Sequence, residues 1–87
     1  RQSMLDQNYP NPVKSGTKIR FKVSEPGYVS LKLFNMTGKE VTILVKTVMS
    51  PGSYSVDLDA TGLPAGIYAY CLQAGGKTHT RSLVVVK

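Results

Sequence analysis

The chain is poor in the residues from which most enzyme sites are built. Its 87 residues include one cysteine, one histidine and five carboxylates. A single cysteine, Cys71, excludes an internal disulfide and reads as a small strand residue rather than a nucleophile. His79 has no acidic residue beside it in sequence. The carboxylates are scattered over positions 6–59, so no metal site is indicated. Asp57 and Asp59 alternate on one strand face and read as a solvated edge rather than a general acid/base pair. No apolar run reaches the ~18 residues that a membrane span needs. No charged segment followed by an apolar one marks a signal peptide at the N-terminus, although a domain cut from a longer exported protein would read the same way. Helical periodicity is lacking too, since glycine and proline recur at short intervals. No catalytic, cofactor-binding or metal-binding residue is expected.

What remains is a small, basic, strand-forming chain. Eighty-seven residues make one domain. A hydrophobic content of 41% suffices for one core, and a domain of this size has a stability of about 5–8 kcal/mol. Eleven lysines and arginines against five acids give a formal charge of +6. That balance suits acidic partners in general, but the basic residues are spread along the chain and read as a solvated surface.

Short alternating runs follow one another, each closed by a turn signal. Residues 17–23 set Ile19, Phe21 and Val23 on one face and Lys18, Arg20 and Lys22 on the other. "SEPG" ends that run. Residues 28–34 align Val29, Leu31 and Leu33, and "NMTG" forms the next turn. Residues 40–46 align Val41, Ile43 and Val45. After Ser50-Pro51-Gly52, residues 53–59 turn Tyr54, Val56 and Leu58 inward and Ser55 and Asp57 outward. Residues 67–74 bring Tyr68, Tyr70 and Leu72 together, and residues 77–86 form the last run. With a short piece near residues 5–9 there are seven strands. That density predicts an all-β, immunoglobulin-like or fibronectin III-like antiparallel sandwich.

Several connections are predictable. A tight hairpin across Glu25-Pro26-Gly27 would place Pro26 where a type I turn disfavours it. That link is therefore expected to cross between two sheets. Gly75-Gly76 suits a two-residue hairpin, which would pair Leu72 with His79 and Tyr68 with Leu83. Leu83 and Val85 then point inward, and a one-residue shift would turn Val84 and Val86 inward instead. "GLPAGIY" has the form of a sandwich corner. Leu63 plugs the core end, Pro64 and Gly66 shape the bend, and the Tyr68 hydroxyl bonds the preceding loop.

"QNYPNP" raises a separate question. Pro10 and Pro12 fix φ at two positions and remove two donors. Each also keeps the residue before it out of the helical region. The segment reads as an edge strand made to stop and bend. The prolines fix where an upstream linker joins the sandwich, protect the edge from aggregation, or do both, since the two readings are compatible.

Other motifs are explained without chemistry. Asn35-Met36-Thr37 fits a glycosylation pattern but is already accounted for as a turn ending in Gly38. "AGGK" is a hairpin, because no helix follows it to hold a phosphate. Lys18, Arg20 and Lys22 share a face without interleaved aromatics, so the stacking platform of single-strand nucleic-acid binders is missing. No nucleic acid partner is expected, and the chain is expected to be a monomer.

With these motifs in place, the chain resembles the type A C-terminal sorting domain of the type IX secretion system, found in Bacteroidetes and related phyla. The resemblance rests on "LDQNYPNP" (5–12), "TKIRFKV" (17–23), "VSLKLFNMTGKEV" (29–41), "GLPAGIYAYCLQAGG" (62–76) and "TRSLVVVK" (80–87). "QNYPNP" and "LPAGIY" are its specific parts. Val13-Lys14 departs from the Phe-Asn that many members carry after the second proline. The basic C-terminal motif is thinner here, with Arg81 and Lys87 framing "SLVVV".

The resemblance implies one sorting domain over residues 1–87, with residues 1–4 as a remnant of the linker from an upstream cargo. It implies a non-catalytic address label, presented in the periplasm to the outer-membrane translocon and its shuttle protein. A cell-surface sortase would then remove it, leaving the cargo at the surface or secreted. Pro10, Asn11, Pro12, Gly66, Tyr68, Arg81 and Lys87 are the candidate recognition residues. The competing expectation is an adhesion or carbohydrate-binding module, or a structural immunoglobulin-like accessory module such as that of the flagellar hook-capping protein. A glycan-binding module would display surface aromatics, whereas the five tyrosines here mostly fall on expected inward faces.

Overall fold

The computed structural model describes residues 3–87. Alternation along the sequence becomes seven strands: β1 (Met4–Leu5), β2 (Gly16–Val23), β3 (Gly27–Phe34), β4 (Glu40–Met49), β5 (Gly52–Asp59), β6 (Gly66–Ala74) and β7 (Lys77–Val85). They form two antiparallel sheets, β1-β2-β5 and β4-β3-β6-β7. Each sheet buries its period-two apolar face against the other, as an immunoglobulin-like sandwich requires. Ile19, Phe21 and Val23 meet Val29, Leu31, Leu33, Tyr70, Leu72, Leu83 and Val85 in one core.

The link between β2 and β3 crosses between sheets as expected. The Gly75-Gly76 hairpin has the expected register, with Leu72 opposite His79 and Tyr68 opposite Leu83. Both turn glycines have positive φ, 60° and 74°, which a two-residue hairpin of this kind demands. Leu83 and Val85 are buried, and Val84 faces out.

Two tyrosines start their strands in the same way. Tyr68 Oη donates to Pro64 O at 2.7 Å, and Tyr54 Oη donates to Ser50 O, again four residues upstream. Tyr54 also stacks on Phe21, with ring centroids 5.6 Å apart.

β4 departs from simple alternation. Its register against β3 shifts twice, so Leu31 faces Val45 while Lys32 faces Ile43. The extra residue at each bulge flips the faces that follow. Ile43 is therefore exposed, and Leu44 packs on the core beside Val41 and Val45. The strand also runs on to Met49 rather than ending at Lys46.

Candidate functional site

"QNYPNP" transfers the chain from one sheet to the other. Leu5 pairs with Phe21 of β2, and Tyr9 and Lys18 exchange both backbone hydrogen bonds at 3.0 and 2.9 Å. After the prolines, Val13 bonds the outer edge of β7 instead. Its N–H donates to Val84 O at 2.7 Å, and Val86 N–H donates to Val13 O at 2.8 Å. Asn11 Oδ1 accepts from Val84 N–H at 3.2 Å. The segment thus leaves β2 and covers the edge of β7. A residue without an N–H suits a stretch that changes partners, because no ladder can continue through it.

This placement corrects one expectation. The prolines do not mark where the chain joins the sandwich, because Met4 already pairs with Lys22 upstream of them. Ser3 is buried and its Oγ accepts from Ser24 N–H at 3.2 Å. Of the proposed linker remnant, residues 1 and 2 lie outside the described residues, whereas Met4 pairs in the three-stranded sheet and Ser3 precedes it. Edge protection fits the observed geometry, since the bend caps β7.

A buried polar network holds the bend. Asn8 Nδ2 donates to Pro10 O and Thr17 Oγ1, each at 3.1 Å. Thr17 Oγ1 donates to the same Pro10 carbonyl at 3.0 Å. Above it, the wholly buried Tyr70 phenol donates to Asp6 O and accepts from Asn8 N–H, both at 2.8 Å. Burial pushes the Tyr70 phenol above its ordinary range, and the Asn8 N–H partly offsets this by favouring the phenolate. Gln7 Nε2 donates to Ser82 O at 2.8 Å and Arg81 Nε donates to Leu5 O at 3.0 Å. The first strand and its bend are therefore strapped to β6 and β7 by side chains.

The candidate recognition residues fall into two places. Pro10, Asn11 and Pro12 are exposed beside the end of β7. Val85 sits between Val13 on one side and Gly66 on the other. Lys87 reaches over the same end, with Nζ donating to Ala60 O at 3.2 Å and Thr61 O at 3.1 Å. The bend, the Gly66 corner and the chain's last residues thus gather at one end of the sandwich. Gly66 is exposed with φ 155°. Tyr68 shapes this end from inside, for it is buried. Arg81 is apart from the cluster, opposite Tyr70 in mid-strand. Sequence reasoning missed Asn8, Thr17 and Tyr70. A tyrosine rather than phenylalanine at an inward mid-strand position is the signal that could have shown it, because a buried hydroxyl needs partners.

Among the described residues no set of three His, Cys, Asp or Glu side chains is close enough to hold a metal ion. Asp59, at the margin of this end, accepts from the Thr61 N–H and hydroxyl, which hold its carboxyl below the usual range. Tyr9 and Tyr28 are exposed, at 82% and 54%. Tyr9 stands beside Lys18 on the three-stranded sheet, so the basic row does have one aromatic neighbour. Tyr28 lies on the other sheet opposite Val48. The two rings share no face, so they make no common platform for a sugar or a base.

Seven strands in two sheets, with a bend, a corner and a terminal strand meeting at one end, define an immunoglobulin-like module. A family model described as a secretion system C-terminal sorting domain matches residues 7–86, and the chain belongs to this family of type IX secretion sorting domains. Membership makes it a C-terminal sorting signal, carried on a larger protein bound for the cell surface or the medium. A search of curated proteins found no match.

Proposed function

We propose that this domain is a folded, non-catalytic label that takes an upstream cargo across the outer membrane. The cargo crosses the periplasm with the label folded. The outer-membrane translocon and its shuttle protein engage the label, and a cell-surface sortase then cuts it away. The observation that carries this reading is the family match over residues 7–86. Its most specific stretches, "QNYPNP" and "LPAGIY", meet at one end of the sandwich with residues 84–87. We assign recognition to the exposed part of that end: Pro10, Asn11, Pro12, Gly66 and Lys87. Arg81 and Tyr68 support it, one by tethering β1 and the other by closing the corner.

The test is a fusion. A periplasmically targeted fluorescent protein placed ahead of Arg1 should reach the surface or medium of a type IX-competent bacterium. Retention in the periplasm, in a host that exports its own type A cargo, would overturn the proposal.

A further inference from the structure

The two sheets treat their edges differently. The outer edge of β7 is covered at its C-terminal end, where Asn11 and Val13 bond Val84 and Val86 and Gln7 bonds Ser82 O. β4 is the other edge of its sheet, and two register shifts interrupt it. Bulges of that kind spoil an edge as a template. β5 has neither protection. Its pairing with β2 runs without a shift from Gly52 to Asp59. Among the described residues no strand pairs with its other side.

The direction of its free groups follows from β2. Lys18 exchanges backbone bonds with Tyr9, and Arg20 O accepts from Asp6 N–H. Lys18 and Arg20 therefore turn their backbone groups away from β5. Bonding alternates along an antiparallel ladder, so Thr17, Ile19 and Phe21 bond Leu58, Val56 and Tyr54. Ser53, Ser55 and Asp57 must then aim N–H and C=O out of the sheet. The side chains along this edge also alternate. Val56 and Tyr54 are only half-buried on the inner side, and Asp57 is exposed on the outer side.

We propose that β5 is a docking edge that accepts an extended segment of a partner protein as an added strand. The fitting segment alternates apolar residues with lysine or arginine. Apolar residues would cover Val56 and Tyr54, and a cation would stand opposite Asp57. β2 already shows this chemistry on the other side of β5, where Ile19 faces Val56 and Lys18 faces Asp57 at 3.8 Å. The β2 strand of a second copy lies in the middle of a sheet and does not supply that strand; pairing of one β5 edge with another is the self-association outcome of the test. This surface is distinct from the end assigned to recognition, and the inference does not rest on the export reading.

The probe is a synthetic peptide copying residues 16–23, GTKIRFKV, added to the isotope-labelled 87-residue chain. Amide exchange and chemical-shift mapping should show slowed exchange at Ser53, Ser55 and Asp57, with Tyr54 and Val56 already protected. Ser55→Pro removes an outward donor and leaves the β2 ladder intact, as proline is tolerated on an edge. It should weaken peptide binding by at least about tenfold. Asp57→Lys leaves the backbone untouched and should weaken the same peptide, while a peptide with glutamate at its three basic positions should not bind the native chain. Absence of binding, binding mapped to β4 or β7, equal binding by both variants, or self-association through β5 would each overturn the proposal.

Discussion

Two tyrosines two residues apart test what a buried hydroxyl contributes. Tyr68 donates to Pro64 O in an exposed loop, where water can replace it. Tyr68→Phe should cost about 1 kcal/mol, and Tyr68→Ala roughly 3–5 kcal/mol through the cavity it leaves. Tyr70 bonds the backbone of Asp6 and the buried Asn8. Tyr70→Phe leaves the Asn8 N–H without a partner in the core, so it should cost more, about 2–3 kcal/mol. Chemical denaturation of the three variants orders these effects, and a smaller loss for Tyr70→Phe than for Tyr68→Phe would contradict the network. Tyr70 also makes stability depend on pH. Its folded pKa lies above the ordinary 10.0. Below that value both folded and unfolded phenols keep their protons, and the contribution is complete. Above it the unfolded phenol ionises first, so stability falls as pH rises through the folded value. The advantage of the native chain over Tyr70→Phe should shrink from about pH 10 upward. A constant difference up to pH 11.5 would rule out a raised pKa.

At the scale of elements, the Gly66 corner and the last strand are the sensitive parts. Gly66 has φ 155° with no atom within 4 Å of an added Cβ. Any penalty at this site is therefore backbone strain rather than a clash. Gly66→Val should cost more than Gly66→Ala, because a branched side chain resists positive φ most. Thermal unfolding that ranks the two equally would remove the strain. Deleting residues 83–87 strips the buried Leu83 and Val85 and removes the residues that the bend bonds, so the domain should not fold. These elements were legible because their signals are local. Alternation located the strands, Gly75-Gly76 set a register, and Leu63, Gly66 and Tyr68 spelled a corner. What stayed hidden is set by pairing between distant segments. The bulges of β4 come from its fit to β3, and no alternation rule exposes Ile43. The use of the Pro-Asn-Pro bend is invisible until Val13 is seen on β7. The polar strap joins residues more than sixty positions apart, as with Asn8 and Tyr70.

For the whole molecule, stability and the proposed recognition have to be separated, because Arg81 and Lys87, both candidates for recognition, also hold backbone carbonyls. Exposed charges contribute little to stability as a rule. Arg81 and Lys87 are not free charges, however. One holds the Leu5 carbonyl and the other holds Ala60 and Thr61 across the corner. Changing both to Ser should cost about 1–2 kcal/mol from these surface hydrogen bonds, and the fold should survive. Lys39→Ser with Lys46→Ser is the matched control. It removes the same charge from exposed positions on the side of the sandwich formed by β4. In the fluorescent fusion the control should export normally. If the terminal cluster is what the export machinery reads, the Arg81/Lys87 variant should be folded by circular dichroism yet accumulate in the periplasm. Splitting the pair then locates the effect. Lys87→Ser alone should reproduce the defect, because Lys87 stands with Pro10, Asn11, Pro12 and Gly66, whereas Arg81 sits in mid-strand beneath the strap. Arg81→Ser alone should lower stability and leave export of the folded fraction unchanged. A defect carried by Arg81 and not by Lys87 would move recognition from the end of the sandwich to its strapped side.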